Sequence, residues 1–242
     1  EMLRDHRPGC EDAAVILHEH PELGGPGQLP KEAIDECRRF FDMAVTLNEV
    51  ASVAAYCLGD VNILDACTRE TMDLFESWGI LGTGRSVLDL GCGIGRFTAA
   101  IAPRVKSIHG VDISPKMLAA ARRRCAGLRN VRFSRGSGHD LFKFKEASLD
   151  LVLAADSFPY IFQGGPELVS VHFMEIARVL KPGGHFALLN FSYRPSRHAD
   201  RRDVARLCRT FGLELVISGS QPFQLWDAEA YLIRRPAESP AG

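Results

Sequence analysis

A doubly wound α/β domain, built on a mostly parallel sheet that closes with an antiparallel hairpin, is the fold the sequence predicts. Three observations carry that prediction. From residue 86 onward, short apolar runs alternate with helical patterns, the spacing that crossover helices impose on parallel strands. A G-x-G-x-G loop of Gly91, Gly93 and Gly95 leaves the first of those runs. The last two runs are separated only by residues 219–222, which suits a hairpin and is too short for a crossover.

The elements follow in order. Residues 1–30 carry Pro8, Gly9, Pro21, Gly24, Gly25, Pro26, Gly27 and Pro30, and an irregular, mobile N-terminal arm is expected there. From Lys31 the apolar positions Ile34, Cys37, Phe41, Ala44 and Val45 keep a helical stripe. A second stripe, Leu64, Cys67, Thr71, Phe75 and Trp78, runs to Gly79, where a helix stops. Residues 31–80 therefore form a helical segment ahead of the sheet. Strands are expected at 86–91, 107–112, 130–135, 149–156, 185–191, 213–218 and 223–233, with helices over 95–102, 166–180 and about 200–211. One more helix opens at Ser114-Pro115, with serine as N-cap and proline at the first helical position. Pro182-Gly183-Gly184 is expected to break the helix before the fifth strand, and residues 236–242 form a C-terminal tail.

Composition sets limits. The 242 residues are 46% hydrophobic and 24% charged, enough for one sizeable core. No apolar run approaches the ~18 residues of a membrane span, and no signal peptide is visible. The seven cysteines form no C-x-x-C pair, which argues against a disulfide framework or a zinc knuckle and for a reducing cytoplasm. No histidine set has metal-ligand spacing, and His18 and His20 are read as non-ligands. The formal net charge of −1 hides an imbalance. Residues 1–80 hold 6 Lys+Arg against 16 Asp+Glu, whereas residues 81–242 hold 23 against 14. The two segments either attract each other or are simply solvated. Arg122, Arg123 and Arg124, with Arg129, Arg132 and Arg135, invite a nucleic-acid reading. No aromatic series interleaves them, so a solvated helix face is expected and nucleic acid is not.

The glycine loop lets backbone approach a ligand closely, because no Cβ intervenes. A dinucleotide site prefers G-x-G-x-x-G, and here the third glycine comes one residue early. Asp89, two residues before Gly91, would repel a pyrophosphate and suits a cationic amine. Asp112, at the end of the second strand, falls where a carboxylate accepts from ribose hydroxyls. A ligand with a ribose, a positive end and no phosphate describes S-adenosylmethionine. Each residue also has a plainer role open to it. Asp89 suits a strand-end turn, Asp112 a helix cap, Cys92 a small filler between glycines, and His139 solvent.

D-L-G-C-G-I-G-R (89–96) resembles motif I of the class I S-adenosylmethionine-dependent methyltransferases. V-D-I-S-P-K-M (111–117) resembles their second motif, and R-V-L-K-P-G-G (178–184) the segment before their fifth strand. The resemblance covers about 81–233, within a domain expected over 81–235, and implies a seven-stranded sheet, with the cofactor at the C-terminal edges of strands one and two. It implies Gly91, Cys92, Gly93 and Gly95 under the amino-acid part, Asp89 facing the amino group, and Asp112 on the ribose. Ile113 and Met117 are then expected on adenine, with Gly138 and His139 contributing beside them. Ser137 stands where the family often has an acidic residue. Asp156 and Ser157, ending the fourth strand, match the motif beside the transferred methyl.

The acceptor side is sought at two other strand ends. Phe158, Tyr160 and Tyr193 are expected to line a pocket, Asn190 to orient a polar group, and Arg194 to pair with a carboxylate or phosphate. D-S-F-P-Y (156–160) is not the N-P-P-Y or D-P-P-Y of enzymes that methylate amines in nucleic acids. The expected activity is methyl transfer to a small molecule, with an RNA or protein methyltransferase, or a non-catalytic cofactor-binding module, as alternatives. The helices of 31–80 are expected to fold over the cofactor as a lid. Tyr56 is expected above the glycine loop, as a catalytic or clamping residue with Tyr160, or else packing the lid helices together. No metal is expected.

Overall fold

The computed structural model describes residues 7–20 and 30–237. Helix α1 (Arg7–His18) lies where an irregular arm was expected. Pro8 and Gly9 sit in its first turn, where a missing N–H costs nothing. Its Ala13 and Ile16 bury against Phe40, Ala44 and Ala51, so apolar burial outweighs the breaker composition. The rest of the arm, residues 1–6 and 21–29, and the end of the tail, residues 238–242, lie outside the described residues. Helix α2 (Pro30–Leu47) and helix α3 (Val61–Ser77) follow, with the 3-10 turn Ala55–Cys57 between them. The Asp60 carboxylate caps α3 by accepting from Asn62 N at 2.7 Å.

The domain proper alternates as expected: β1 (Gly82–Leu90), α4 (Arg96–Ile101), β2 (Val105–Asp112), α5 (Pro115–Arg124), β3 (Val131–Arg135) and β4 (Leu149–Ala155). Ser114 Oγ accepts from Met117 N at 3.0 Å as the N-cap of α5. The chain continues through α6 (Phe158–Gln163), α7 (Pro166–Val179), β5 (Leu180–Leu189), α8 (Arg197–Thr210), β6 (Glu214–Ser220) and β7 (Ala230–Arg234). The sheet has the order β3-β2-β1-β4-β5-β7-β6, with β7 antiparallel to both neighbours. Its direction of growth reverses between β1 and β4, the switch point at which open α/β sheets take ligands.

Alternation within the strands feeds two cores. Leu88, Val152, Phe186 and Leu188 face one cluster, and Val87, Leu151, Ala187 and Leu189 the other. Helices cover both faces, which is why β4 reads as a continuous apolar run.

Three boundaries differ from expectation. Pro182-Gly183-Gly184 lies inside β5, not in a break before it. Helix α6 was not foreseen; Pro159 in its first turn favours helix there. The hairpin is antiparallel, but its connection runs over residues 221–229 and β7 is short. Trp226, only 5% exposed, buries in the core beside α3, and Glu70 accepts from the amides of Gln224 and Leu225. That anchoring holds the aromatic stretch out of the sheet.

The acidic N-terminal segment meets the basic domain at discrete points. Ser114 Oγ donates to Asp42 Oδ1 at 2.6 Å, Arg104 pairs with Glu76 at 2.9 Å, and Arg123 pairs with Glu49. The ion pairs are exposed and contribute little each. Arg122, Arg123 and Arg124 are all exposed.

Candidate functional site

The glycine loop bends from the end of β1 toward β4. Gly91, at φ +75°, lies against β4's end: a Cβ there would stand 2.3 Å from Ser157 Cβ. Ser157 Oγ in turn donates to Leu90 O at 2.7 Å. Gly95, also at φ +75°, presses helix α4 on α5, with a Cβ meeting Ala121 Cβ at 3.0 Å. The first glycine is thus needed for the loop, and the third for helix packing.

Asp112 ties this loop to the next helix. Its Oδ2 accepts from Gly93 N at 2.9 Å and its Oδ1 from Ser114 N at 2.8 Å. Asp89 takes a different role from the one expected. It is 2% exposed, its Oδ2 accepts from Thr98 Oγ1 at 2.5 Å, and it is absent from the wall of the cavity below. It clamps β1 to α4 from behind the loop. Burial pushes both carboxyls up to about 6 against the pull of their hydrogen bonds.

A cavity of about 410 Å³ opens at these strand ends, beneath α1, α2 and the 52–56 turn. Gly91, Cys92, Gly93, Asp112, Ile113 and Met117 line one side of it. Gly138, Asp156, Ser157, Tyr160, Asn190 and Tyr193 also line it, as does Tyr56 from above. His139 is not on its wall; its neighbours Gly138 and Asp140 are. Ser137 sits off the wall too, its Oγ taking the amides of His139 and Asp140 at 3.1 and 3.2 Å. Cys92 is buried, and burial first, then Asp112, hold its thiol well above the ordinary range. It is a filler and not a nucleophile.

Two expected acceptor residues lie elsewhere. Phe158 is fully buried among Phe173, Phe186 and Phe191, with ring centroids 5.6–6.1 Å away. Starting helix α6 directly after the strand end turns its ring inward. Arg194 pairs with Asp200 at 2.5 Å and Asp203 at 2.7 Å and lies over the Phe162 ring. It binds α8 to the β5 end and is not on the cavity wall.

The strand ends β4 and β5 carry backbone strain. Asp156 has φ +55° and Asn190 φ +60°, although neither is glycine. Their side chains meet, Asn190 Nδ2 donating to Asp156 Oδ1 at 2.8 Å. Tyr193 OH donates to the same oxygen at 3.2 Å, and Asn190 Oδ1 accepts from Glu229 N at 3.0 Å. Strained, mutually bonded polar residues on a cavity wall mark a functional site.

The sequence reading missed three residues here. Arg96, first in α4, is only 7% exposed and lines the cavity. Its guanidinium stands 4.3 Å from the Phe97 ring centroid and 5.5 Å from that of Trp226, and it donates to Tyr56 OH at 3.4 Å. Among the described residues no carboxylate pairs with it at salt-bridge distance. Rings and a phenol thus surround a buried cation on the cavity wall. Trp226 stacks on Tyr56 at 6.1 Å. His20 lies 3.2 Å from Tyr160 OH through Nε2. Arg96 was legible as the residue closing the glycine motif; the other two are brought in by tertiary contacts alone. Among the described residues no group of three His, Cys, Asp or Glu is arranged to hold a metal ion, and no helix is long and apolar enough to cross a membrane.

Comparison with known proteins follows the same lines. Residues 88–188 match the family model described as a methyltransferase domain. The chain is 34% identical over 128 residues to a demethylmenaquinone methyltransferase of Tropheryma whipplei, a match covering 53% of this chain and 48% of that protein. It thus spans about half the length of that relative. Among solved structures, the phosphoethanolamine N-methyltransferase 1 of Haemonchus contortus superposes with a TM-score of 0.64 at 15% identity, covering 89% of this chain and 51% of that one. The YcgJ protein of Bacillus subtilis superposes at 0.55 and 18% identity, over 71% of this chain and all of its own.

Proposed function

We propose, given that this chain carries a class I S-adenosylmethionine-dependent methyltransferase domain, that it transfers a methyl group to a small, largely apolar acceptor. The observation that carries this reading is the single cavity wall on which a cofactor-type set and an aromatic set meet. The residues present fit the cofactor. Gly91, Gly93 and Gly138 leave room where a side chain would intrude, Asp112 offers a carboxylate to ribose hydroxyls, and Ile113 and Met117 offer apolar surface to adenine. Arg96 supplies a cation for the carboxylate of the amino-acid part. When bound, S-adenosylmethionine supplies a methyl group activated by the sulfonium.

The protein's own contribution is orientation and exclusion of water. Helices α1 and α2 and the 52–56 turn form the lid, residues 81–235 the catalytic domain. Tyr56 closes the cavity beside Arg96. Burial keeps the Tyr56 and Tyr160 hydroxyls above their ordinary range, so both stay protonated and serve as donors, not bases. Tyr56→Phe keeps the ring on Trp226 and removes the hydroxyl from Arg96. It is expected to lower turnover about tenfold or more, the scale of a lost positioning contact, with an unchanged melting temperature. Unchanged turnover would make Tyr56 a packing residue.

The apolar wall and the depth of the site under two helices favour a small acceptor over RNA or protein. Incubation of the full chain with methyl-labelled cofactor and a cell extract, split into small-molecule, RNA and protein fractions, tests this. Label in the small-molecule fraction is expected. Label confined to RNA or protein overturns the reading.

A further inference from the structure

From the loop after β3 and from helix α7, six residues reach the cavity wall: Gly136, Gly138, Asp140, Leu141, Leu168 and His172. Backbone bonds pin this loop to the helix. Leu141 N donates to Glu175 Oε2 at 3.1 Å, and Leu141 O accepts from Arg178 Nη2 at 3.1 Å. Both partners lie on α7, a turn or two past His172, so Asp140 is fixed beside the helix that carries the imidazole. Gly138 backs onto the apolar wall: a Cβ there would meet Ile34 Cγ2 at 2.8 Å and Ile113 Cγ2 at 3.2 Å.

Only two of the six have polar side chains, and both present acceptors. His172 is 2% exposed, and its Nδ1 lies 2.8 Å from Leu168 O. A carbonyl oxygen only accepts, so Nδ1 carries the proton and Nε2 the lone pair. Among the described residues Nε2 has no hydrogen-bond partner. Burial holds this imidazole below its ordinary range, so Nε2 stays a neutral acceptor. Asp140 Oδ1 accepts from Phe142 N at 3.2 Å, while Oδ2 has no partner among the described residues. Ser137, at the position where an acidic residue is common in the family, does not compete. It lies off the wall, its Oγ spent on the amides of His139 and Asp140 in the turn that brings Asp140 to the cavity.

This end of the cavity therefore calls for hydrogen-bond donors on a ligand that fits between Ile34, Ile113 and Leu141. Adenine is flat, and its exocyclic amine offers two N–H donors. A 6-oxopurine would turn an oxygen toward the same two acceptors and leave both unpaired, a loss that buried acceptors do not tolerate.

We propose that Asp140 and His172 read the 6-amino group of the cofactor's adenine and make the site selective for adenosyl over 6-oxopurine ligands. This rests on the methyltransferase reading above. Neither residue belongs to the three sequence motifs; the loop after β3 supplies one and α7 the other.

Calorimetric titration of the full chain with S-adenosylhomocysteine and S-inosylhomocysteine tests this. The two ligands differ only in the amine and the oxo group. Wild type is expected to prefer the adenosyl ligand by about 10- to 150-fold, the range for hydrogen bonds that include a charged partner. His172→Leu removes the Nε2 acceptor and keeps an apolar filling. It is expected to bind the adenosyl ligand about tenfold more weakly and to lose most of the preference. Asp140→Asn brings an amide that donates to a 6-oxo group, and its preference is expected to fall to within about threefold. Asp140 is partly exposed, so this variant decides the matter if His172→Leu does not fold. Equal affinities in the wild type would overturn the proposal. So would variants that weaken both ligands equally, because a merely structural role moves both together. A wild-type preference that survives in one folded variant overturns that residue's part. A wild type that binds neither ligand instead overturns the methyltransferase reading beneath.

Discussion

Asp112→Ala is expected to weaken S-adenosylhomocysteine binding by about 10- to 150-fold, the equivalent of about 1.5–3 kcal/mol for lost charge-assisted hydrogen bonds. The carboxylate ends β2 on the cavity wall, and its oxygens already order the Gly93 and Ser114 amides. A ribose would thus meet an acceptor fixed in place before binding. Alanine removes the acceptor and leaves both amides without a partner. Asp112→Asn keeps one oxygen and is expected to fall between wild type and alanine. Calorimetric titration reads both variants, and unchanged affinity in a folded Asp112→Ala protein would remove Asp112 from the ribose site.

Phe158→Ala is expected to lower stability by about 3–5 kcal/mol, the range for truncating a fully buried phenylalanine. Its ring touches Phe173, Phe186 and Phe191 and has no exposed surface, so truncation leaves a cavity that rigid neighbours do not fill. Urea unfolding measures the loss, and S-adenosylhomocysteine affinity in the folded variant is expected to stay within about threefold of wild type. A stability loss below about 1 kcal/mol, or a collapse of affinity at full stability, would put Phe158 back on the ligand side.

These two residues also mark what could be read from the sequence. The placing of Asp112 and the glycines at the loop was legible because it is fixed by backbone. A positive φ, a close approach and a strand-end carboxylate leave local signatures of type and spacing. The Ser114-Pro115 helix start and the alternation of strands and helices were legible for the same reason. Phe158 was not, because whether a ring at a strand end faces the ligand or the core depends on the turn that follows. Helix α6 made that choice. Arg194 was misjudged because its partners, Asp200 and Asp203, come one helix later. Helix α1 was hidden by Pro8 and Gly9, whose breaker character is harmless in a first turn. His20 and Trp226 carried no signal at all. The first lies 140 residues from Tyr160, and the second joins the site through a loop that reads as strand.

The pH response of the site follows from its two buried carboxyls. Asp89 and Asp112 have pKa values raised from 3.8 to about 6, chiefly by burial. Burial here favours the neutral acid. Their contribution to the stability of the ligand-free protein is therefore present below about pH 4 and lost as pH rises through about 6. Ligand binding runs the other way. On the proposed reading, ribose hydroxyls would donate to Asp112 and favour its ionised form, so affinity is expected to rise as that group loses its proton. One unit below its pKa about a tenth of the carboxyl is ionised, which sets a loss of about tenfold.

Titration of S-adenosylhomocysteine into the full chain at pH 7.5 and pH 5 tests the central claim most directly. One site per chain is expected at pH 7.5, with affinity about tenfold weaker at pH 5. Absence of binding at pH 7.5, or affinity that does not fall toward pH 5, would contradict a cofactor seated on Asp112.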